Sequence, residues 1–583
     1  MKSFITLKDF LLKHKWSYII GVTWLLLIDT VQLIIPQILR GLTNDLQNNV
    51  LDSKGLLRYA LYITLTGVTI GVGRYFWRIY IQGTSRVLEY YLRKKLFNHL
   101  LTLSPNYFNT HKTGDLMAHA TNDINAIRMA LGHGVVMVVD AIFMIILSLI
   151  MMIKTTSLKF TATTVIALPI LIVLVTLFGK IIYTRFKTVQ EAFSNLSDVT
   201  QESFSGIRVV KSFVQEDLVS ENFKRVNEDN LKQNLNLVKI DGIFHPLLHF
   251  IASFSFLIII FYGSREVIND DISLGDFVAF NSYLSTLIWP TIAFGMVINI
   301  LQRGAASMER LNTIFDEESD LKEITNPQVL KNSQGNIKFD NVSFKYPSSN
   351  YYAVAGISFE IKKGEMLAIV GRTGSGKSTI ANLLLRLYDI DSGNIFVDGI
   401  NIRDLSLESL REAIGYVPQE NFLFSQTMKE NIAFSFDEEI PIEAVINASK
   451  SAEVYDNIMK FPDQFSTVLG ERGVTLSGGQ KQRTSIARAL IKKPVIIILD
   501  DSLSAVDTET EEKILSNLKK ATKNITSIVV SHRTSTVKDA NEILYLKEGV
   551  ITERGTHEEL LILNGEYKAL YEKQLLEEKL SKA

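Results

Sequence analysis

Cysteine is absent from this sequence of 583 residues. Its absence excludes disulfide scaffolds, thiolate metal sites and cysteine nucleophiles, and it leaves the redox compartment open. Proline is scarce, with 11 residues, and the chain has no internal repeat or low-complexity tract. The net charge is only −1, so bulk charge gives no reason to expect a nucleic-acid partner. No cleavable signal peptide stands out, and we expect a short amphipathic helix on the membrane surface up to about Lys15.

Long apolar runs crowd the part of the chain before about residue 305. Six of them are long enough to cross a hydrocarbon core, which needs about 20 helical residues. We predict spans at about 16–38, 56–82, 131–153, 159–183, 243–268 and 274–301. Basic residues near the membrane ends of the long connections, among them Arg78, Arg86, Lys180 and Arg185, favour a cytoplasmic side. The prediction is a multi-pass protein of a bacterial cell membrane with both termini in the cytoplasm.

The two long connections between spans are helical in pattern. Residues 186–235 carry apolar side chains at spacings of three and four, with few helix breakers. We therefore predict that spans two to five continue as helices well beyond the bilayer. Short transverse turns near Asn106–Gly114 and Ser203–Ser212 would join them.

The first three predicted spans carry ionisable residues away from their ends, namely Asp29, Arg74 and Asp140. Charged groups at such depth are costly and are functional candidates by default. Asp29 could attract cationic compounds, or it could pair with a basic residue on a neighbouring helix. The sequence leaves both readings open.

From about residue 337 the pattern of the sequence changes from long apolar runs to short ones. Short apolar runs at Ile337–Phe339, Met366–Val370 and Val495–Leu499 indicate buried strands, and helical stretches alternate with them. The predicted architecture is an all-α polytopic transmembrane domain over 1–305, a charged linker over 306–336, and an α/β P-loop NTPase domain with a largely parallel sheet over 337–575.

Residues 371–378 read GRTGSGKS, a complete G-x-x-x-x-G-K-[ST] motif between a strand and a helix. Its glycines let backbone N–H groups surround phosphate oxygens, and the helix N-terminus adds positive potential. Lys377 reaches the β- and γ-phosphates. The predicted phosphate contacts are Gly371, Thr373, Gly374, Ser375, Gly376, Lys377, Ser378 and Thr379.

A metal site is expected beside the phosphates. The run Val495–Leu499 is an apolar strand that ends in Asp500. Its carboxylate and the Ser378 hydroxyl are suitable ligands for Mg²⁺. The predicted cofactors are therefore ATP and Mg²⁺.

The sequence Leu476-Ser477-Gly478-Gly479-Gln480 lies between the P-loop and Asp500. Together these motifs resemble the ATP-binding cassette (ABC) family, and the resemblance covers the whole chain. Six spans followed by one cassette resemble a multidrug-exporter-type half-transporter. This resemblance implies an ATPase that couples hydrolysis to transport.

The resemblance also implies roles for single residues. Tyr346 would stack on adenine, Gln419 would contact Mg²⁺, and His532 would contact the γ-phosphate. Ser477, Gly479 and Gln480 would grip ATP bound to a second cassette, so a second half-transporter is the expected partner.

Further contacts implied by the resemblance concern communication between domains. Asp507 would link the two ATP sites. Residues 471–473 would contact the transverse turns, which resemble coupling helices near Tyr107–Gly114 and Glu202–Phe213. By contrast, His557 lies at the start of a predicted helix and has a structural reading.

One residue departs from the family pattern. Most members have Glu after the strand Asp, where it orients and polarises the attacking water, but this chain has Asp501. Asp is one methylene shorter, so its oxygens fall roughly 1–1.5 Å short. General-base help is worth about 10²–10⁴-fold and requires hydrogen-bond reach. We expect a catalytically degenerate site, as in one subunit of bacterial heterodimeric exporters; a slow homodimer remains the alternative.

The expected cargo is a hydrophobic or amphipathic small molecule, and membrane lipid is an expected contact. A homodimeric lipid flippase is the alternative function. An ATP-gated channel or regulatory receptor is disfavoured because long regulatory insertions are absent. A soluble ABC protein is excluded by the six predicted spans.

Overall fold

The protein is described by a computed structural model over residues 2–322, 324–347, 349–470, 473, 476–502, 514 and 525–582. The chain divides into two compact units. The first comprises Met1–Leu101 and Lys112–Glu317, and the second comprises Thr102–His111 and Glu318–Ala583. The predicted domain limits at 305, 336 and 575 stay predictions.

Helices fill the chain from the N-terminal region to Phe315. After a 3₁₀ helix at Lys2–Leu7, they are α1 (Lys8–Lys13), α2 (Lys15–Gln32), α3 (Ile34–Gln47), α4 (Ser53–Trp77), α5 (Thr84–Thr102), α6 (Pro105–Thr110), α7 (Thr113–Ala118), α8 (Ile124–Met129), α9 (Val135–Thr155), α10 (Leu158–Val165), α11 (Ala167–Ser205), α12 (Ile207–Ser212), α13 (Glu216–Ile258), α14 (Ser264–Ile268) and α15 (Leu274–Phe315). Single π-helical segments at Arg78–Gly83, His119–Asp123, Ala130–Gly134 and Ile259–Gly263 join neighbouring helices.

Five continuous helices among the described residues are long and apolar enough to cross a membrane. They are Lys15–Gln47, Ser53–Thr102, Thr113–Thr155, Glu216–Ile268 and Leu274–Phe315, and they contain five of the six predicted spans. The remaining predicted span, 159–183, falls on α10 and α11, and some of the α11 side chains lie outside those described.

The helices extend beyond a bilayer, as the spacing of apolar residues predicts. Ser53–Thr102 has 50 residues. At about 1.5 Å per residue it is about 75 Å long, more than twice the hydrocarbon core of about 30 Å. Short helices α6 and α12 lie at the two predicted transverse turns.

The second unit contains two sheets. Their strands are β1 (Ile337–Phe344), β2 (Val354–Ile361), β3 (Met366–Gly371), β4 (Ser392–Val397), β5 (Ile400–Asn401), β6 (Ile414–Val417), β7 (Ile496–Asp500), β8 (Thr526–Val530), β9 (Glu542–Lys547) and β10 (Val550–Gly555). One sheet is antiparallel with the order β2-β1-β4-β5, and the other has the order β10-β9-β3-β8-β7-β6. Within the second sheet β9, β3, β8, β7 and β6 pair in parallel, which confirms the predicted α/β class.

Helices cover the parallel sheet. The described helices of this region are α16 (Lys377–Leu384), α17 (Leu407–Ala413), α18 (Met428–Ile432), α19 (Ile442–Ser451), α20 (Tyr455–Ile458), α21 (Gly478–Leu490), α22 (Thr534–Val537), α23 (His557–Leu563) and α24 (Glu566–Lys582). All five residues of β7 are buried. A continuous apolar run is expected for a parallel strand covered on both faces.

Helix α6 belongs to the second unit, although it interrupts the first unit in the sequence. The Asn106 side-chain amide donates to the Asp320 carboxylate at 2.9 Å. The Asn109 side-chain amide donates to the Tyr388 hydroxyl at 2.7 Å. The first transverse helix is therefore held by side chains of the second unit.

Candidate ATP-binding site

The P-loop connects β3 to α16, as the motif predicts. Gly376 has φ +98°, in the left-handed region that favours glycine. A Cβ at this position would lie 2.1 Å from the Ala353 carbonyl oxygen, so a side chain would force the backbone apart. The Lys377 ammonium donates to the carbonyl oxygens of Gly371 and Arg372 at 2.9 and 2.8 Å. Its burial lowers the pKa of Lys377, whereas the Asp501 and Asp500 carboxylates raise it.

A cavity of about 390 Å³ lies beside this loop. Most of the residues predicted for the nucleotide site line it, namely Tyr346, Thr373, Gly374, Gly376, Lys377, Ser378, Thr379, Gln419, Asp500, Asp501 and His532. Loops that follow the carboxyl ends of β3, β6, β7 and β8 supply most of them. Ligands of open parallel sheets bind at this edge.

The P-loop is chemically suited to phosphate. The Ser375 hydroxyl oxygen is buried and has no hydrogen-bond partner among the described residues. A buried hydroxyl without a partner is costly, so a phosphate oxygen would satisfy it. Together with the Lys377 ammonium and the start of α16, it forms a donor set that fits the phosphates of ATP.

Two oxygen ligands suitable for Mg²⁺ lie next to this donor set. The Ser378 hydroxyl donates to Asp500 Oδ1 at 2.9 Å, and Asp500 is only 2% exposed. Burial raises the pKa of the Asp500 carboxyl, the Ser378 hydrogen bond lowers it, and the neighbouring Asp501 charge raises it again. A buried carboxylate beside a hydroxyl fits a divalent cation, which would supply the missing positive charge.

Asp501 occupies a constrained position on the cavity wall. Its φ is +45°, a conformation that Asp adopts more readily than most residues. Its N–H donates to the Val530 carbonyl at 2.9 Å, and its own carbonyl accepts from the Gln482 side chain at 3.2 Å. Hydrogen bonds therefore hold the backbone of Asp501 on both sides of its Cα atom.

Aromatic side chains also border the cavity. The Tyr346 hydroxyl lies 3.2 Å from Thr379 Oγ1, and its ring packs edge-to-face against Tyr388 at 5.2 Å. Tyr351 and Tyr352 also line the cavity and are 83% and 56% exposed. Sequence reasoning missed these two, although paired aromatics a few residues after Tyr346 are a usable signal.

The LSGGQ residues lie away from this cavity. Ser477 Oγ accepts from the Gln480 N–H at 3.3 Å, and Gln480 Oε1 accepts from the Ser477 N–H at 2.9 Å. This reciprocal pair is a capping box at the start of α21, and Gly479 lies in the first turn. The structure does not bring Ser477, Gly479 or Gln480 to the ATP cavity of their own chain.

Four further residues singled out from the sequence remain to be placed. Asp507, Glu471 and Arg472 lie outside the described residues. His557 Nδ1 lies 2.8 Å from the Tyr567 hydroxyl, between α23 and α24, and does not line the cavity.

In the first unit, Asp29, Arg74 and Asp140 of the predicted spans lie near one another. Asp29 on α2 is 2% exposed, and its buried Oδ2 has no hydrogen-bond partner among the described residues; Asp140 lies on α9. Arg74 on α4 acts electrostatically on both carboxyl groups. Gly73 packs directly against Ile28, which brings Arg74 close to Asp29. Asp29 therefore has both an acidic residue, Asp140, and a basic residue, Arg74, in its neighbourhood.

Sequence comparison identifies the class of protein that combines these two units. The family profile described as the ABC transporter transmembrane region matches residues 18–291, and the ABC transporter profile matches residues 354–504. The chain belongs to the ABC transporter family, as a half-transporter that joins a transmembrane and a nucleotide-binding region and couples ATP hydrolysis to transport.

Individual relatives cover nearly the whole chain. The "Probable multidrug resistance ABC transporter ATP-binding/permease protein YheI" of Bacillus subtilis (strain 168) is 40% identical over 97% of this chain and 96% of its own length. An ATP-dependent lipid A-core flippase of Haemophilus influenzae (strain 86-028NP) is 36% identical over 88% of this chain and 86% of its own length. The solved structure of a bacterial Atm1-family ABC exporter with ATP bound superposes with a TM-score of 0.79, at 26% identity over 97% of this chain and 98% of that chain.

Proposed function

We propose that this chain exports hydrophobic or amphipathic compounds as one half of a heterodimer, and that its own ATP site hydrolyses slowly. The observation that carries the proposal is Asp501 on the wall of the ATP cavity, beside Asp500 and Lys377. In this position a carboxylate about 1 Å short of its target costs about 10²-fold in rate. The LSGGQ sequence is intact, which supports a role in completing the ATP site of a partner with a normal Glu.

The residues of the cavity would divide the work of binding. Tyr346 would stack on the adenine, Lys377 would bind the β- and γ-phosphates, and His532 would bind the γ-phosphate. Ser378, Asp500 and Gln419 would hold Mg²⁺, which neutralises phosphate charge when bound. Asp501 would orient water weakly.

A chain of contacts supports coupling between nucleotide and transverse helix α6. Asn109 on α6 donates to Tyr388, and the Tyr388 ring packs against Tyr346. An adenine base that shifts the Tyr346 ring would therefore also shift Tyr388 and its hydrogen bond with Asn109 on α6. Such coupling requires two arrangements of these elements, which ATP binding and release would bias.

Whether the short side chain of Asp501 slows ATP hydrolysis can be tested by lengthening it. Asp501→Glu should raise ATP turnover of the purified full-length chain about tenfold or more, because it restores the reach of the general base. Asp340→Glu, on an exposed strand position of the same domain, is the matched control and should leave turnover unchanged. An Asp501→Glu chain that binds ATP and turns over no faster than wild type would remove the basis for a degenerate site.

The cargo has two candidates with separate support. The multidrug-resistance relative supports small-molecule cargo, and the lipid A-core flippase relative supports the alternative of a lipid flippase. The purified exporter in phospholipid vesicles separates them. We expect cationic amphiphiles to raise ATP turnover at least twofold at fixed lipid composition. Stimulation by lipopolysaccharide lipid alone would favour the flippase.

The orientation is also part of the proposal. We infer that both termini are cytoplasmic in a bacterial cell membrane, from the basic residues that flank the predicted spans. Fluorescent-protein fusions at either terminus should fluoresce, and alkaline phosphatase fusions there should be inactive. Active phosphatase at one terminus would reverse the assignment of that end.

A further inference from the structure

Gln574 on the C-terminal helix α24 contacts the loop that carries His532. Its Oε1 accepts from the Thr534 N–H and from Thr534 Oγ1, both at 2.8 Å. Its Nε2 donates to the His532 carbonyl at 2.5 Å. One amide side chain therefore holds the loop on both sides of Arg533. This residue has no part in the motifs that identify the family.

Helix α24 is itself firmly attached to the nucleotide-binding region. The Glu553 carboxylate accepts from the N–H groups of Glu566 and Tyr567 at 2.5 and 3.1 Å, at the start of the helix. Tyr567 is fully buried, and Leu570 packs against the same core. Gln574 lies two turns after Tyr567 and so shares its face. The amide is thus presented to the His532 loop from a fixed helix.

The hydrogen bonds satisfy groups that the loop alone leaves open. Thr534 begins the one-turn helix α22, so its N–H has no partner within that helix. Within the loop, the Ser531 hydroxyl accepts from the Arg533 N–H at 2.9 Å. Gln574 adds the constraint on His532 and Thr534 that Ser531 does not supply.

We propose that Gln574 is a positioning residue that holds His532 toward the γ-phosphate of ATP. The proposal rests on the proposed role of His532, whose side chain lines the ATP cavity. Gln574 itself does not line the cavity and acts through the loop backbone. The effect of a Gln574 substitution on nucleotide affinity should therefore require both a γ-phosphate on the nucleotide and an intact His532.

The experiment measures nucleotide selectivity of the purified full-length chain. Dissociation constants for Mg²⁺–AMP-PNP, which has a γ-phosphate analogue, and for Mg²⁺–ADP, which lacks it, are compared. Gln574→Ala should weaken AMP-PNP binding about tenfold, the scale of one hydrogen bond to a charged group, and change ADP binding less than twofold. In a chain that already carries His532→Ala, Gln574→Ala should have no further effect.

Three further variants make the test specific. Gln574→Glu keeps the acceptor for Thr534 and loses the donor to His532, so it should fall between wild type and Gln574→Ala. Thr534→Val removes one of the three hydrogen bonds with little change of shape, and it tests the same contact if Gln574→Ala fails to fold. Lys573→Ala, on the neighbouring exposed position of α24, should leave both affinities unchanged.

The outcomes separate this inference from the role of His532. If His532→Ala lowers the selectivity for AMP-PNP but the Gln574 and Thr534 variants do not, Gln574 is not a positioning residue. If His532→Ala itself has no effect, the proposed γ-phosphate contact fails and the inference fails with it. Parallel losses of ADP and AMP-PNP affinity would mean that Gln574 only stabilises the fold.

Discussion

At the scale of single residues, the ATP site contains a carboxyl group, that of Asp500, whose ionised form is disfavoured by burial. Asp500 is buried at the end of β7, next to Asp501. Burial and the neighbouring charge raise the pKa of its carboxyl, against the effect of the Ser378 hydroxyl. Without a bound cation, the ionised Asp500 should therefore lower the stability of the domain.

Replacing this carboxylate by its neutral isostere should stabilise the apo chain. A carboxyl whose folded pKa is raised favours folding below its unfolded pKa, and that contribution is lost as the pH rises through its folded pKa. Asp500→Asn should thus raise the free energy of unfolding by about 1 kcal/mol at neutral pH, a usual size for one substitution. The gain should shrink as the pH falls. Thermal unfolding without nucleotide or Mg²⁺ across the pH range measures it.

Asp398 in the same domain is the matched control, with the opposite sign. Burial raises the pKa of its carboxyl, but hydrogen bonds from Ser333 and from the backbone N–H groups of residues 334–336 lower it overall. Its ionised form therefore stabilises the fold above the unfolded pKa, and this contribution is lost as the pH falls through the folded pKa. Asp398→Asn should destabilise the chain at neutral pH. Equal effects of the two substitutions would contradict the electrostatic account.

The P-loop contacts of single residues are predictable from the sequence, whereas contacts made through tertiary neighbours are not. The order of the P-loop residues dictates their contacts, because the motif is local and lies between a strand and a helix. The sequence motifs do not indicate Tyr351, Tyr352 or Gln574, because the positions of these residues depend on tertiary neighbours. A glutamine on the core-facing stripe of α24 is the signal that could have identified Gln574.

At the scale of elements, helix α21 begins with a capping box made from the residues of the LSGGQ sequence. Ser477 and Gln480 satisfy each other's backbone N–H groups. The same two residues are expected to act on ATP of a second cassette. Their effect on helix stability and their effect on the ATP cycle can be separated by comparison with an ordinary capping box.

Ser477→Ala and Thr556→Ala form the matched pair. Thr556 caps α23 with Glu559 in the same reciprocal arrangement. Each substitution should cost about 1 kcal/mol of stability, the usual loss for an N-cap. Only Ser477→Ala should also lower ATP turnover of the assembled exporter, by about tenfold or more. An equal loss of turnover in both variants would mean that Ser477 acts only on helix stability.

The elements themselves follow from the sequence to different degrees. The buried strand β7 is predictable because a short apolar run ends in a charged residue. The long cytoplasmic helices are predictable because apolar spacing continues beyond the spans. The ends of the helices at π-helical segments, such as Arg78–Gly83, are not predictable, because helix period and composition barely change there.

At the scale of the whole molecule, the P-loop, Asp500, Asp501 and His532 of the chain line one ATP cavity. Its LSGGQ residues do not reach that cavity. In a half-transporter, they are available to a second cassette. We propose that this second cassette belongs to a different chain, because an ATP site with Asp501 in place of Glu should hydrolyse ATP slowly.

The most direct test compares ATP turnover by the full-length chain purified alone with turnover after co-expression with a candidate partner half-transporter. A partner with Glu after its strand Asp is the one to choose. We expect slow turnover by the chain alone and at least tenfold faster turnover in the co-purified complex, lost again when the partner's Glu is replaced by Gln. Brisk turnover by this chain alone, unchanged by the partner, would show that the ATP site with Asp501 is competent and needs no different partner.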